Sequence, residues 1–502
     1  MLQLTGFVLP DVGILTITAM ANKSDPSQVT REDLDEIAEE LQTFYSQGVG
    51  KSLAAGVVFP NSGFVQSEFD KPQFQHKRQA WADFVLRGHQ QLDLEPILQA
   101  LDKKEYRAMV LRGVENASRC AFTGQPAYLR VSRDMLPMLN GRGIPNFGPM
   151  GAAGLPVSDV MLLAIHALPL GCIVTQGALL AVESDDADLM AAFVRANLAE
   201  NRRFINLARQ EGYEKYPNLS AYKSRLITVL AEALSKQQQQ WGDAYRMPSL
   251  MAYHFSNNGT SARVTLYALP SSTVQFVYNV SEGQHKAAWK RIVASGWTED
   301  KAESEELKSK TPKLTRRNFI YEDLFDLPEN ARDFLRTYFL RRPLKAFKRD
   351  PRATYNLFKE ADFVSWDLTA LFLKDIINME TSRIGHIRTL GDRLATHIRE
   401  TNDRRLLKAL YYENKYWLFR KALLRAMYGY TGDEPLVTFE GYVQIFESFE
   451  EGHGIERADW NLARDLLLIR VFEQLHAQGY WSAVTETLQG EDEDAVLKPV
   501  TD

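Results

Sequence analysis

The stretch LMAYHFSNNGTSARVTLYALP, residues 250–270, predicts a β-hairpin. Two runs of alternating apolar residues flank Asn258-Gly259, and Asn-Gly favours the type I′ turn that joins two antiparallel strands. Helical periodicity returns at 185–240 and again throughout the chain beyond residue 360. The sequence therefore predicts an α+β fold, with a mixed N-terminal domain at 1–360 and a C-terminal α-helical bundle at 361–502.

Bulk composition predicts a globular protein of two or three domains. The chain has 502 residues, 45% of them hydrophobic, and a formal net charge of −5. Its apolar runs are shorter than the ~20 residues needed to cross a bilayer, and its N-terminus lacks a basic leader. We therefore expect a cytoplasmic protein without membrane contact. With only two cysteines, a disulfide framework and a four-cysteine zinc site are not expected.

Gly50-Lys51-Ser52 matches the end of a phosphate-binding loop. The motif needs a glycine five residues before Gly50, but position 45 is Tyr. The run from Thr30 to Tyr45 opens with a capping box of Thr30 and Asp33, which predicts a helix leading into the motif. Residues 57–59 are expected to form a strand or loop rather than a phosphate-binding helix. The motif is therefore predicted to be a glycine-rich helix exit.

Candidate catalytic residues are scattered. Four histidines lack metal-ligand spacing: His254, His386, His397 and His453. Glutamates cluster at 36–40 and 303–306 on polar helical faces, and Cys172 lies in an apolar run that predicts burial. The sequence thus predicts a non-enzymatic protein with no catalytic residues, no metal site and no cofactor.

Two stretches are strongly basic. Residues 336–359 carry eight Lys or Arg against one Asp, with aromatic residues interleaved, and residues 381–430 carry eleven Lys or Arg against four acids. Such stretches can neutralise phosphates and stack bases, although each also fits an ordinary solvated helix face. In the second stretch the apolar stripe of the helix at 381–400 is expected to point inward, with Arg393 and His397 on one flank. The residues predicted to contact nucleic-acid backbone are Arg388, Arg393, Arg399, Arg404, Arg405 and Lys408.

Taken in order, several stretches resemble the large subunit of the type I-B CRISPR surveillance complex Cascade, in the branch named for two CXXC pairs. The resemblance covers nearly the whole chain. TGFVLPDVGILTITAM at 5–20 looks like that family's opening strand, and the helix predicted at 30–45 follows it. The other matching stretches are CAFTGQPA with the glycine- and proline-rich region at 120–171, the hairpin at 250–270, and the helical runs RIGHIRTLGDRLATHIRETNDRRLLKAL, FEGYVQIFESFE and RDLLLIRVFEQL.

The sequence departs from this family at the zinc ligands. Where the family has its first CXXC pair, this chain has Cys120 and Thr123, and at the second it has Val157 and Val160. One ligand of four remains, so we expect no zinc and a loop held by packing.

The resemblance implies a non-catalytic subunit that reads the protospacer-adjacent motif and stabilises the R-loop between guide RNA and target DNA. The implied partners are CRISPR RNA, target double-stranded DNA, the other Cascade subunits, and either a nuclease-helicase or a transposition adaptor. It also implies that the C-terminal bundle can be made separately as a small subunit, for which Met379 is a candidate internal start.

Two loops are predicted to read the flanking motif. One is the hairpin tip at Asn257, Asn258 and Gly259, and the other contains Arg142 and Asn146. Asparagine can pair with adenine, and glycine lets the backbone approach a duplex. The alternative for the hairpin tip is a plain type I′ turn.

Two functions of other classes stay open. One is a metal- or nucleotide-dependent nuclease that uses the residue 48–52 turn and scattered acids. The other is a helical scaffold that does not contact nucleic acid.

Overall fold

The fold was obtained as a computed structural model. It describes residues 2–59, 62–90, 96, 118–127, 129–131, 135–138, 154–175, 177–216, 221–241, 247–257, 262–299, 316–343, 350–430, 432, 434–446 and 457–489. The chain divides into two compact units. The first unit comprises Met1–Ser271 and Glu299–Arg317, and the second comprises Ser272–Thr298 and Asn318–Asp502. Among the described residues, no helix is both long enough and apolar enough to span a membrane.

The first unit combines helices with a small antiparallel sheet, which confirms the α+β prediction. Its helices are α1 Val8–Met20, α2 Arg31–Ser46, α3 Gly48–Leu53, α4 Gln75–Leu86, α5 Asp159–Gly171, α6 Ala187–Glu211 and α7 Tyr222–Trp241. Its strands are β1 Ser118–Arg119, β2 Pro126–Ala127, β3 Leu129–Val131, β4 Leu155–Val157, β5 Ile173–Thr175, β6 Ala178–Ser184, β7 Leu250–Ser256 and β8 Arg263–Leu269. Two further strands, β9 Trp297–Glu299 and β10 Arg316–Asn318, each include residues of both units.

Helix α1 occupies the place where the sequence resemblance implied an opening strand. The carboxylate of Asp11 accepts hydrogen bonds from the Thr5 backbone and hydroxyl groups at 2.6 and 2.7 Å and from the Gly6 N–H at 2.9 Å, which ties down the chain entering the helix. Its apolar side chains pack against α5 and α6. Burial among helices therefore outweighs the strand preference of its β-branched residues.

Two buried asparagines of α6 hold the end of α5. The Asn197 side chain donates to the Gly171 carbonyl at 3.0 Å, and the Asn201 side chain donates to the carbonyls of Leu170 and Cys172 at 2.8 and 3.0 Å. These bonds satisfy carbonyls that a helix end leaves without intrahelical partners. The Cys172 thiol is buried, as predicted, and burial raises its pKa.

The predicted hairpin is present as β7 and β8. These strands are antiparallel, with Leu250 opposite Leu269 and Ser256 opposite Arg263. They extend a four-stranded sheet in the order β5-β6-β7-β8, in which all neighbours are antiparallel. Helices α6 and α7 lie between β6 and β7 along the chain.

The helix leading into Gly50-Lys51-Ser52 is also confirmed. Thr30 caps α2 through the predicted capping box with Asp33. The GKS residues then lie within α3, and Lys51 pairs with Asp70 at 2.5 Å. Residues 54–58 continue as a π-helical turn rather than the expected strand or loop.

His166 lies in the centre of the first unit. Its ring stacks on Phe59 at 4.4 Å between centroids, and its Nδ1 bonds to the Leu162 carbonyl at 2.8 Å. Burial lowers the pKa of His166 from 6.5 to about 4, although the bond to Leu162 opposes this shift. The folded protein therefore holds this imidazole neutral at pH values where the unfolded chain takes up a proton.

We expect acidification below pH 6.5 to destabilise the protein through His166. The folded pKa is depressed, so stability is lost as pH falls from about 6.5 toward 4, by roughly 1.4 kcal/mol for each pH unit. His166→Leu should flatten the pH dependence of the urea midpoint over this range. His76→Gln, at an exposed histidine of α4, is the matched control and should not. Parallel pH profiles for the wild type and His166→Leu would contradict the assignment.

The second unit is almost entirely helical. Its helices are α8 Ser271–Ser281, α9 Lys286–Ser295, α10 Phe319–Asp323, α11 Ala331–Phe334, α12 Trp366–Asp375, α13 Thr381–Thr401, α14 Arg404–Tyr412, α15 Tyr416–Tyr428, α16 Phe439–Phe446, α17 Arg457–Ala477 and α18 Trp481–Leu488. Helix α13 packs along α17, and α16 packs on both. The predicted inward stripe of α13 is buried, from Ile384 through Ile398.

This unit begins well before the boundary expected near residue 360. Phe372 of α12 packs against Phe276, Phe334 and Phe339, with centroid distances of 5.3, 5.3 and 5.5 Å. The bundle core therefore includes side chains from residues 272–298 and 318–343 as well as from the predicted C-terminal part. A fragment starting at residue 361 would leave this side of Phe372 uncovered.

In the basic, aromatic stretch at 336–359, the described residues, 336–343 and 350–359, are mostly buried or half-buried. Tyr338, Phe339 and Tyr355 are buried. The Arg341 guanidinium is fully buried, lies 3.4 Å from the Tyr355 ring centroid and pairs with Glu360 through two hydrogen bonds. These aromatic rings are therefore occupied by packing within the unit.

Candidate nucleic-acid interface

The segments around Cys120 and Val157, which the sequence resemblance compares with two cysteine pairs, lie against each other. Strands β1 and β2 form a short hairpin around Cys120, and the Ala121 N–H donates to the Pro156 carbonyl at 2.9 Å. Burial raises the pKa of the Cys120 thiol, but hydrogen bonds to the sulfur from the Thr123 side chain and the Ser158 backbone N–H outweigh burial and lower it. Residues 120–123 and 157–158 thus meet around one buried sulfur.

These residues do not fit a structural zinc site, because Cys120 is its one soft ligand and Thr123, Val157 and Val160 cannot replace three thiolates. We expect the purified protein to contain no stoichiometric zinc. The variant with Thr123→Cys, Val157→Cys and Val160→Cys should bind one zinc per chain, if the two segments keep the geometry of paired knuckles. Metal analysis measures the zinc content of the wild type and of the triple variant, and the thiolate-to-cobalt absorption of the Co²⁺ form reports cysteine ligation. One zinc per wild-type chain, or none in the triple variant, would contradict this prediction.

Of the predicted flanking-motif residues, one lies among the described residues. Asn257 is fully buried; its backbone N–H donates to the Val57 carbonyl at 2.7 Å and its side-chain amide donates to the Val58 carbonyl at 3.0 Å. In this position Asn257 anchors the end of β7. The other four, Arg142, Asn146, Asn258 and Gly259, lie outside the described residues.

The predicted backbone-binding residues lie on α13 and α14, with different surroundings. Arg393 pairs with Glu434 and donates to the Pro435 carbonyl at 2.9 Å, while Arg399 lies 3.3 Å from Glu400. Arg388, Arg399, Arg404 and Arg405 are exposed, and Lys408 is half-buried. His397, expected on a flank of α13, is buried.

The structure brings Arg404 and Arg405 together in a groove. This groove has a volume of about 450 Å³ and is lined by His397, Thr401, Asn402, Asp403, Arg404, Arg405, Arg425, Ala426 and Gly429. Asp403 caps α14, accepting from the Arg405 and Leu406 N–H groups at 3.1 and 2.9 Å. Arg404 meets Glu486 at 3.1 Å, but both side chains are exposed, and a pair of this kind contributes little and exchanges readily.

Helix α15 leads out of the groove with an unusual exposed face. Phe419, Leu423 and Ala426 are buried on its inner side. On the opposite side, Trp417, Leu424 and Tyr428 are 60%, 46% and 94% exposed. Positions 417, 421, 424 and 428 recur at helical spacing, so these side chains share one face.

The charged residues that α15 contributes to this face are all basic. Arg420, Lys421 and Arg425 are exposed, and the sequence of α15 contains no acidic residue. Arg425 belongs both to this face and to the groove. The groove and the outer face of α15 together form a basic surface with two exposed aromatic rings, which we call the basic-aromatic surface.

Sequence reasoning found part of this surface. It predicted Arg404 and Arg405 but not Arg425, Trp417 or Tyr428, because it assigned interleaved aromatic residues only to the stretch at 336–359. The signal that identifies α15 is the spacing of Trp417, Leu424 and Tyr428 in a run without acids.

Within the described part of the chain, no three His, Cys, Asp or Glu side chains come together in a group that could hold a metal ion. No protein-family model, curated protein or solved structure is significantly similar to this chain.

Proposed function

We propose that the chain is the non-catalytic large subunit of an RNA-guided type I-B CRISPR Cascade complex, and that its second unit holds nucleic-acid backbone. The observation that carries the nucleic-acid part is the basic-aromatic surface. Its guanidinium groups can neutralise phosphates, and Trp417 and Tyr428 can stack on unpaired bases. This combination suits a single strand, such as the DNA strand displaced in an R-loop.

The family part of the proposal rests on the order of the matching stretches and on one contact. Residues 120–123 and 157–158 are 34 or more positions apart in sequence, yet Thr123 and Ser158 both donate to the Cys120 sulfur. Two segments that held a shared metal in an ancestral chain would be expected to keep such an arrangement after losing three ligands.

In this proposal the first unit docks the complex and reads the flanking motif. The motif-reading role is assigned to Arg142, Asn146, Asn258 and Gly259. The protein works in the cytoplasm with CRISPR RNA, target duplex and the other Cascade subunits, and hands the target to a nuclease-helicase or a transposition adaptor. A separate small subunit would start at Met379, which lies between α12 and α13 and would retain α13 to α18.

Co-expression tests this proposal directly. The tagged chain would be expressed with its neighbouring genes and a CRISPR array, and the co-purifying RNA sequenced. We expect guide-length CRISPR RNA, other subunits, and binding of a duplex that matches the guide. Recovery of the chain without RNA would refute the proposal, and DNA cleavage by the chain alone with Mg²⁺, Mn²⁺ or ATP would favour a nuclease instead.

A further inference from the structure

A second concentration of positive charge lies inside the second unit, at the other end of α14. It consists of Arg332, Arg336 and Arg464, which lie around the carboxylate of Asp465, and of Arg342, whose charge acts on Arg464. We call these four arginines the arginine cluster. The groove lies at the N-terminal end of α14, whereas Arg342 covers Tyr411 and Arg464 donates to the Glu413 carbonyl at its C-terminal end.

Three of the four arginines share one carboxylate. Asp465 lies 3.2 Å from the Arg464 guanidinium, 3.4 Å from that of Arg336 and 3.9 Å from that of Arg332, and its side chain is 2% exposed. Four guanidinium groups against one carboxylate leave three positive charges uncompensated among these side chains. The pKa of Arg464 is lowered, first by burial and then by the charges of Arg342 and Arg336, against the opposing effect of Asp465.

Within the described chain, the buried guanidinium edge of Arg342 has no hydrogen-bond acceptor. Its residue is 8% exposed, its guanidinium lies 4.9 Å from the Tyr411 ring centroid, and among the described residues nothing accepts a hydrogen bond from its Nε or Nη2. Nε and Nη2 form the edge with which Arg341 holds both oxygens of Glu360. An edge of this kind matches an oxyanion with two oxygens to offer.

The cluster is open to solvent on one side. The side chains of Arg332 and Arg336 are 38% and 30% exposed, and their Nε atoms also lack hydrogen-bond partners within the described chain. Arg342 and Arg464 form the buried side. The side of the cluster that solvent reaches is therefore formed by the side chains of Arg332 and Arg336.

We propose that the arginine cluster binds a phosphate group. A phosphate monoester carries about −1.5 to −2 charges and three acceptor oxygens. Its charge offsets most of the excess positive charge, and its oxygens can accept hydrogen bonds from the unpaired guanidinium edges. A carboxylate supplies a single charge and leaves more of the cluster unsatisfied. The phosphate can come from a small phosphoanion or from the end of a bound strand.

Pyrophosphate is the probe for this site. The unfolding midpoint of the full chain would be measured against pyrophosphate at constant ionic strength, with chloride as the compensating salt. We expect a saturable rise, because a ligand of the folded state stabilises it by mass action. Arg342→Gln should weaken pyrophosphate binding about tenfold or more, whereas Arg209→Gln, at an exposed arginine of α6, should leave it unchanged.

Arg336→Gln provides an independent readout. Removing one of the crowded positive charges should leave the midpoint without pyrophosphate unchanged or higher, yet weaken pyrophosphate binding. A purely structural role would lower the midpoint under both conditions. The absence of a saturable pyrophosphate effect, or equal binding by the wild type and both cluster variants, would overturn the proposal.

Competition distinguishes the two sources of phosphate. A 5′-phosphorylated oligonucleotide and its 5′-hydroxyl counterpart would be tested for displacement of pyrophosphate. Displacement by the phosphorylated strand alone assigns the site to a strand end, and displacement by neither assigns it to a small phosphoanion. Both results support a phosphate site that does not depend on the proposed Cascade function.

Discussion

Asp465→Asn is expected to lower the free energy of unfolding of the second unit by about 3–5 kcal/mol. Asp465 is the buried carboxylate of the arginine cluster, and its side chain is 2% exposed. Removing its charge leaves the buried Arg464 without its charge partner, and an uncompensated buried charge costs far more than the lost hydrogen bonds alone. Urea unfolding followed by circular dichroism measures the loss.

The control for this prediction is Asp333→Asn, at an exposed acid of the same region whose carboxylate has no place in the cluster. It should change stability by less than about 0.5 kcal/mol. Phosphate should restore part of the stability of Asp465→Asn if the cluster binds phosphate, because a ligand anion can then replace the missing carboxylate. A loss below about 1 kcal/mol would show that solvent already compensates these arginines.

Local signals in the sequence account for the elements that were predicted correctly. The capping box at Thr30 and the apolar spacing up to Tyr45 define α2 within one stretch of chain, and β7 with β8 follows from alternation on both sides of one turn signal. Each of these patterns involves neighbours whose contacts are set by short-range geometry. Such elements can be found without knowing what they pack against.

Long-range packing accounts for the differences. Phe372 and Phe276 belong to one core although 96 residues separate them, so no local change in composition marks where the second unit begins. Helix α1 likewise owes its helical state to burial against α5 and α6. Its own sequence, rich in β-branched residues, is compatible with a strand.

Only part of the basic-aromatic surface could be predicted from the sequence, again because long-range packing determines which side chains are exposed. Residues 336–359 and α15 both show arginines among aromatic residues, and sequence spacing alone does not reveal which rings are buried. In the first stretch, the buried Arg341 pairs with Glu360 and lies over the Tyr355 ring. In α15 no acidic partner lies within the helix, and Trp417 and Tyr428 are exposed.

Replacing the groove arginines should weaken binding of single-stranded DNA about a hundredfold at 0.1 M salt. The variant is Arg404→Gln, Arg405→Gln and Arg425→Gln, all on exposed side chains of one groove. Each phosphate contact contributes roughly 0.7 to the slope of log affinity against log salt for a single strand, so losing three flattens the slope by about two units. Fluorescence anisotropy at increasing salt measures affinity and slope together.

Helix α6 of the first unit offers a control of equal charge. Arg195→Gln, Arg203→Gln and Arg209→Gln remove three exposed arginines there, and this variant should keep the slope of the wild type. Equal flattening in both triple variants would show that net charge, rather than the groove, attracts the strand.

Trp417→Ala separates stacking from charge on the same surface. Losing one stacked base should reduce the binding free energy by about 1–3 kcal/mol at every salt concentration. The plot of log affinity against log salt is then shifted without a change of slope. The groove variant should do the reverse, changing the slope while affinities converge near 1 M salt, where counterion release no longer contributes.

Unchanged binding by Trp417→Ala would leave the groove as a phosphate site without base contacts, and unchanged binding by both variants would exclude the basic-aromatic surface as the interface. Only a strand that follows the groove onto the outer face of α15 gives both signatures in one protein.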